Sequence, residues 1–215
     1  CSSDLVVANV QRGGPSTGLP TKTEQSDLLS AINPTHGDVS LPVIAPGTVE
    51  ECFSATVAAF NWAEKYQGPV VLLTEHSLAE RQQNIKRPNI DQIETHDRLT
   101  YTGDNGYLRY ENETLSPMPI PGSIGSYVAN GSEHDPMGDT THLPERHLQM
   151  TNRRFSKLSL LENDSYEKIN ETAEICIMPW GGSKGPSLEA FNQLAEEGVN
   201  LGWYYTMYIN TLPKN

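Results

Sequence analysis

Residues 5–23 read LVVANVQRGGPSTGLPTKT, and this stretch decides the fold. Residues 5–10 are short, apolar and β-branched, the composition of a buried strand. Residues 11–23 follow without a break and carry three glycines, two prolines and five Ser, Thr or Lys residues. Such a run cannot continue a helix or lie in mid-sheet. It reads as a shaped loop at the carboxyl end of a strand, the place where open α/β sheets bind ligands. Arg12 offers a planar fork for a carboxylate or phosphate, and Ser16, Thr17 and Thr21 add hydroxyl donors. The glycines let backbone amides approach a ligand. Together these features describe an anion pocket. The alternative is a structural loop whose Arg12 caps a helix C-terminus.

Outward from the loop, residues 24–31 read as a short helix with Leu28 and Leu29 inward and Glu24 in its first turn. Residues 41–45 (LPVIA) form a second strand. Thr48 is placed to cap a helix with Glu50 and Glu51 in its first turn. That helix reaches about Tyr66 and directs Phe53, Val57, Phe60 and Trp62 toward the core. Residues 69–74 (PVVLLT) make a third strand. Strands alternating with helices predict an α/β fold with a parallel sheet.

Residues 75–144 break the rhythm, being rich in Pro, Gly, Asn and Asp. A stretch of that length is too long for an ordinary loop. It predicts an ordered excursion with small strands. Its tyrosines and methionines suit packing on another subunit, and self-packing on its own domain is the alternative. Residues 144–161 predict a rather polar helix facing inward through Leu148, Phe155 and Leu158. Residues 162–172 read as a linker closing a first domain, 1–161, and residues 173–215 as the start of a second. There the expected order is a strand at 174–178, a Gly-rich turn at 180–186, a helix at 187–197 with Leu188, Phe191, Leu194 and Ala195 inward, and a strand at 199–207. A core strand beginning at residue 5, with a second unit too small to stand alone, predicts a chain cut short at both ends.

Composition removes several classes. With 15 Lys and Arg against 27 Asp and Glu, the net charge is −12, and no basic stripe offsets it. Nucleic acid and anionic membranes are excluded as expected partners. No apolar run is long enough to span a bilayer. The three cysteines, Cys1, Cys52 and Cys176, lack any C-x-x-C spacing, so neither a disulfide framework nor a metal or cluster site held by this chain alone is expected. Cys52 and Cys176 read as buried thiols in a reducing cytoplasm. His134 and Asp135, in EHD, have no third ligand at metal-binding spacing. They divide between a structural or subunit-contact role and a direct one at the site. His36 is a turn histidine, with a place near a cofactor as the alternative. WGGSKGP at 180–186 does not satisfy the phosphate-loop pattern, because Lys184 is followed by Gly185 and Pro186.

Several segments in order resemble one family. VQRGGPSTGLPTKTEQSDLL, THG, the AP-x-x-VEECF entry to a helix and FN-x-AEKYQ-x-PV are similar to α subunits of 2-oxoacid:ferredoxin oxidoreductases. GSEHDPMGDTTHLPE resembles that family's EHD-x-x-G segment, and WGGSKGPSLEA with EEGVNLG resembles the opening of its second domain. The resemblance implies a parallel-sheet, thiamine-diphosphate-binding fold of the pyrimidine-domain type, followed by the start of a transketolase C-terminal-like α/β domain. It implies oxidative decarboxylation of a 2-oxo acid, 2-oxoglutarate favoured through THG, to an acyl-coenzyme A, with electrons passed to ferredoxin. Thiamine diphosphate and Mg²⁺ are then held by or shared with a β subunit, which also carries an iron–sulfur cluster. The substrate carboxylate is expected at Arg12 and Thr21, with Ser16 and Thr17 beside them and His134 and Asp135 as a candidate active-site entrance. No catalytic residue is expected in this chain alone, because the family's Y-P-I-T-P segment and activating Glu have no counterpart here. A non-catalytic anion-binding or assembly module of the same fold is the alternative.

Overall fold

The computed structural model describes residues 4–112, 114–161 and 165–212. Cys1 and the ends of the expected linker and second domain at 162–164 and 213–215 lie outside the described residues.

Three parallel strands carry the first unit. β1 (Leu5–Gln11) pairs along its whole length with β3 (Pro69–Glu75), from Leu5 opposite Pro69 to Gln11 opposite Glu75. β2 (Val43–Ile44) lies on the other side of β3, with Val43 opposite Val71. The carboxyl ends of all three strands therefore open on one edge of the sheet, and the Gly-rich loop leaves from that edge. Val43, Ile44, Val70 and Leu73 are buried. β1 is formed where expected, but it is not a buried strand. It occupies the sheet edge, and Leu5, Val7 and Val10 are exposed because no element of the described chain covers them.

Thr48 caps α2 (Val49–Tyr66), its Oγ1 accepting the Glu51 amide at 3.1 Å. Glu50 and Glu51 lie in the first turn and Lys65 in the last, each favourable to the helix dipole. The buried face is Ala55, Ala59, Trp62, Ala63 and Tyr66. Phe53 and Phe60 face outward, and Val57 is half-buried. The alanines let the helix axis approach the sheet closely enough to cover Val70 and Ile44, and the rings a third of a turn away are left outside. A similar correction applies to α1 (Leu28–Ile32), which is shorter than expected and buries Ala31, while Leu29 is exposed.

After β3 comes α3 (His76–Glu80), and the long excursion then runs with one short 3₁₀ turn at Ile90–Gln92. Its expected small strands are replaced by isolated bridges, Thr100 with Met118 and His134 with Thr140. The segment is anchored on its own chain. Gln67 Nε2 donates to the Ser116 carbonyl at 2.8 Å, Arg109 Nη1 donates to the same carbonyl at 2.8 Å, and Tyr110 and Met118 are buried. Tyr101, Tyr107, Tyr127 and Tyr110 form a chain of ring contacts with centroids 4.7–6.1 Å apart. Ile90, Leu99, Ile120, Ile124, Val128 and Met137 of the same segment stay exposed.

α4 (Pro144–Ser156) starts on a proline and buries Met150 and Arg153, while Leu148 and Phe155 stay exposed. The excursion presents carbonyls rather than apolar side chains. Arg153, which donates to the carbonyls of Asn112 and Arg109, therefore decides which face turns in. Leu158 and Leu161, on a 3₁₀ turn at Lys157–Leu161, complete the core under α2.

A second sheet has the order β4 (Glu167–Ile169), β6 (Gly202–Tyr205), β5 (Cys176–Ile177). The stretch read as a linker thus contributes its edge strand. α5 (Lys184–Glu196) packs on this sheet through Leu188 and Phe191, with Ala195 exposed. The single strand expected at 199–207 is shorter. The chain turns at Thr206 and Met207 and sends β7 (Tyr208–Asn210) back to the first sheet, antiparallel to β2. Cys176 is exposed and Cys52 only half-buried.

The two sheets meet at Glu51. One carboxylate oxygen pairs with Lys184 Nζ at 2.5 Å, and the other accepts from the Tyr205 hydroxyl and the Gly47 amide, both at 2.7 Å. Lys184→Met should lower unfolding free energy by about 3 kcal/mol, since it leaves a largely buried carboxylate without its cation. Thr48→Ala should cost about 1 kcal/mol. Urea unfolding of both variants checks the order, and a Thr48→Ala loss as large as that of Lys184→Met would contradict it.

Candidate functional site

The loop after β1 is held by its own backbone. The Gly13 amide donates to the Lys22 carbonyl at 2.8 Å, Leu19 donates to Gly13 at 3.0 Å and Lys22 to Leu19 at 3.0 Å. Gly18 sits at φ +49°, and a Cβ there would fall 2.4 Å from the carbonyl oxygens of Gly13 and Gly14. Only glycine fits that fold-back. Arg12 Nη1 donates to the Thr17 carbonyl at 2.7 Å, so the guanidinium braces its own loop and caps no helix. Arg12, Ser16, Thr17 and Thr21 are all exposed on this surface. Among the described residues, the three hydroxyls make no side-chain hydrogen bond, and the rest of the Arg12 fork is open to a ligand. The structure brings these four residues together on one loop at the carboxyl edge of the sheet.

Glu24, expected in a first helical turn, and polar residues that the sequence does not single out hold this loop in place. Glu24 is not in a helix. Its Oε2 accepts the Gly14 amide at 2.9 Å, an internal carboxylate occupying one of the amides expected to serve a ligand. Gln11 is buried; its Nε2 donates to the Thr74 carbonyl at 3.2 Å and its Oε1 accepts the Asp27 amide at 3.0 Å. Asn9 donates to the Asp27 carboxylate at 3.1 Å, and the Ser77 amide donates to Thr23 Oγ1 at 2.8 Å. Gln25 reaches the Trp180 carbonyl at 3.0 Å, so the Gly-rich turn of the second unit borders the loop. That turn is tight. A Cβ on Gly182 would overlap the buried Glu75 carboxylate. A polar residue at the last position of an apolar strand, as Gln11 is, was the one signal in the sequence for these roles.

His134 and Asp135 lie elsewhere. Asp135 Oδ1 accepts from the amides of Met137, Gly138 and Asp139 at 2.8–3.0 Å, closing its own turn. His134 is buried, its ring 3.9 Å from that of Tyr110, and it borders a cavity with Gly68 and Pro69 at the amino end of β3. A seven-residue strand, roughly 20 Å long, separates that end from the Arg12 loop. The structure does not bring the EHD turn to the loop within this chain. His36 is exposed in a turn closed by the Gly37 amide and Thr35 Oγ1, before β2 and so also toward the amino ends of the strands.

Among the described residues, no group of three or more His, Cys, Asp or Glu side chains is placed to hold a metal ion. Cys52 has its thiol pushed above the ordinary value by burial and by Glu51, which makes it a poor thiolate. Among the described residues, no helix is long and apolar enough to cross a membrane.

Against this geometry, a family model described as "Pyruvate flavodoxin/ferredoxin oxidoreductase, thiamine diP-bdg" matches residues 3–153. The chain belongs to this family. Subunit alpha of 2-oxoacid:ferredoxin oxidoreductase 1 of Aeropyrum pernix is 32% identical over 219 residues, which cover 98% of this chain and 34% of the relative. The 2-oxoglutarate synthase subunit KorA of Methanothermobacter marburgensis is 32% identical over 93% of this chain and 54% of its own. A solved 2-oxoglutarate:ferredoxin oxidoreductase from Magnetococcus marinus, with 2-oxoglutarate, coenzyme A and succinyl-CoA bound, superposes with a TM-score of 0.90 at 39% identity. It covers 97% of this chain and 38% of that one. The chain thus spans about a third of the first of these relatives and of the solved structure, and about half of the second. The α/β thiamine-diphosphate-binding fold of the family is the fold described above.

Gly18→Ala should lower stability by about 1–3 kcal/mol through the positive φ and the carbonyl clash. Limited proteolysis at Lys22 should speed up with it. Cutting at Lys22 as slow as in the unaltered protein would mean that the loop is not held by this fold-back.

Proposed function

We propose that this chain is part of the α subunit of a 2-oxoacid:ferredoxin oxidoreductase, an enzyme that works as a multi-subunit complex. The reaction is oxidative decarboxylation of a 2-oxo acid to an acyl-coenzyme A, with electrons passed to ferredoxin. 2-Oxoglutarate is the favoured substrate, supported by the named activity of the Methanothermobacter and Magnetococcus relatives. The observation that carries the reading for this chain is the Arg12 loop, a guanidinium with a free edge beside three hydroxyls at the carboxyl end of a parallel sheet.

The chain's own residues act on the substrate side. Arg12 binds and orients the carboxylate of the 2-oxo acid through a charge-assisted pair. Thr21, Thr17 and Ser16 supply donors around it. Glu24, Gln11 and Asn9 fix the loop so that these groups are set before substrate arrives, which limits the ordering cost of binding. The described residues do not fit Mg²⁺ or an iron–sulfur cluster, because two separated cysteines and no carboxylate cluster cannot supply the ligands. In this reading those groups, with the diphosphate of the thiamine cofactor, reside on a β subunit. His134 and Asp135 serve as an entrance only if they face the active site of a second subunit. The domain limits at 161 and 173, and a reducing cytoplasmic location, belong to the same reading.

The test is steady-state kinetics of the full-length complex. Arg12→Ala should cut kcat/KM for the 2-oxo acid by ~2–4 kcal/mol of transition-state stabilisation. Arg12→Lys should recover little, because an ammonium lacks the fork. An unchanged kcat/KM in Arg12→Ala would end the carboxylate-clamp reading and favour the non-catalytic module.

A further inference from the structure

At the amino end of β3, a cavity of about 420 Å³ is walled by Arg109, Arg153, Arg154, Lys157, His134 and Tyr110, with Glu133 and apolar neighbours completing it. Three of these cations, Arg109, Arg153 and Lys157, have no carboxylate partner among the described residues. Arg109, 2% exposed, donates to the Gln67 side chain and the Ser116 carbonyl. Arg153 donates to the carbonyls of Asn112 and Arg109 and to the Ser116 hydroxyl. Lys157 donates to the Gln67 carbonyl at 3.0 Å and lies over the Tyr66 ring. Every one of these partners is neutral. Glu133, the one carboxylate of the wall, is already engaged by Arg154 at 3.4 Å and His147 at 2.5 Å.

Three cations around one cavity without a counter-charge is an expensive arrangement in a protein interior. Burial and the neighbouring guanidiniums push Lys157 down to about 8 and Arg153 down to about 10. Two buried polar atoms here also lack any hydrogen-bond partner among the described residues, Arg109 Nε and His134 Nε2. His134, 5% exposed, places Nδ1 2.8 Å from the Ser132 carbonyl, which can only accept. The ring proton therefore sits on Nδ1, and Nε2 is left as an acceptor, as suits a ring that burial keeps neutral. Native structures satisfy nearly all such atoms, so an unpaired donor and an unpaired acceptor on one wall point to a missing ligand.

We propose that this cavity binds a small oxyanion, a phosphoryl or dicarboxylate group, between Lys157, Arg153 and Arg109, with a hydroxyl of the ligand donating to His134 Nε2. The site lies at the opposite end of β3 from the Arg12 loop, and nothing in the proposed function uses it. The cavity far exceeds one phosphate, which leaves room beside Tyr110, Tyr66 and Met150 for the apolar body of a metabolite-sized anion.

The test titrates inorganic phosphate and, separately, malonate into the full-length protein in its complex at constant ionic strength, followed by calorimetry. Saturable binding of at least one anion is expected. Binding of phosphate alone assigns the phosphoryl class, and of malonate alone the dicarboxylate class. Measured in the Arg12→Ala background, where the loop after β1 no longer offers its fork, binding should persist, and adding Lys157→Met should weaken it about tenfold or more. No saturable binding, loss of binding in Arg12→Ala, or equal affinity once Lys157→Met is added overturns the proposal. Should Lys157→Met fail to fold, a structure of the unaltered complex soaked with tungstate decides. Density between Lys157 and His134 supports the site. A cavity that stays empty or is filled by a partner's carboxylate refutes it.

Discussion

Glu51 is the group on which the arrangement depends. It lies in the first turn of α2, where the helix dipole favours a negative charge, and the Thr48 cap fixes that turn. Its two oxygens take a lysine from α5, a hydroxyl from β6 and an amide from the turn after β2. The Tyr205 phenol is held well above its usual value, by burial first and then by its bond to Glu51, so it remains a donor. Lys184 also reaches Glu167 on β4 at 2.6 Å. One carboxylate thus ties both sheets at the edge where the parallel strands end. The Gly-rich turn at Gly181–Ser183 is pressed against that edge, and a Cβ on Gly47 would meet the Gly181 carbonyl at 2.7 Å. A separation of the two units would have to break this network first, and with it the Gln25 contact that borders the Arg12 loop.

The two ends of the sheet are built from opposite chemistry. At the carboxyl edge, buried or engaged carboxylates of Glu24, Glu51 and Glu75 organise amides and hydroxyls, and Arg12 and Lys22 are exposed cations of the loop. At the amino edge, guanidiniums hold the excursion through carbonyls, and Lys157 holds the Gln67 carbonyl at the end of α2. The excursion has few apolar side chains, so it is fastened by charge-assisted hydrogen bonds from Arg109, Arg146 and Arg153, each stronger than a neutral bond. Using cations on carbonyls leaves their net charge uncancelled, which gives the cavity beside His134 its character in a chain that is acidic overall.

Elements set by local chemistry were legible in the sequence. The strands of residues 5–10, 41–45 and 69–74, the Thr48 cap, the loop after β1 and the helices all lie close to where composition and capping put them. Facing was less legible. In α2 two stripes compete, and the sheet selected the alanines because close approach outweighs the larger area of Phe53 and Phe60. In α4 the partner surface is made of carbonyls, so Arg153 turned in and Leu148 and Phe155 turned out, an outcome that no hydrophobic pattern encodes. β4 is Glu-Lys-Ile, whose three residues are all exposed, and it is a strand only because β6 offers an edge. Likewise the end of β6 at Tyr205, short of Met207, goes with β2 having a free side for β7. At the site, the four residues of the Arg12 loop could be read from their spacing. The part played by Glu24, ten residues from the amide it holds, could not.

That last contact bears on what the loop selects. Diphosphate sites draw on several free backbone amides converging on the oxygens. Here the Gly13 amide is taken by Lys22, the Leu19 amide by Gly13 and the Gly14 amide by Glu24. A phosphate that used the Gly14 amide would have to displace a carboxylate already seated, and would meet that carboxylate's negative charge. What is left exposed is the free edge of the Arg12 guanidinium, the hydroxyls of Ser16, Thr17 and Thr21, and the Lys22 ammonium, and the planar fork matches a carboxylate. Under the proposed function, the Glu24 contact leaves the Arg12 fork to a substrate carboxylate and repels a phosphate at the Gly14 amide.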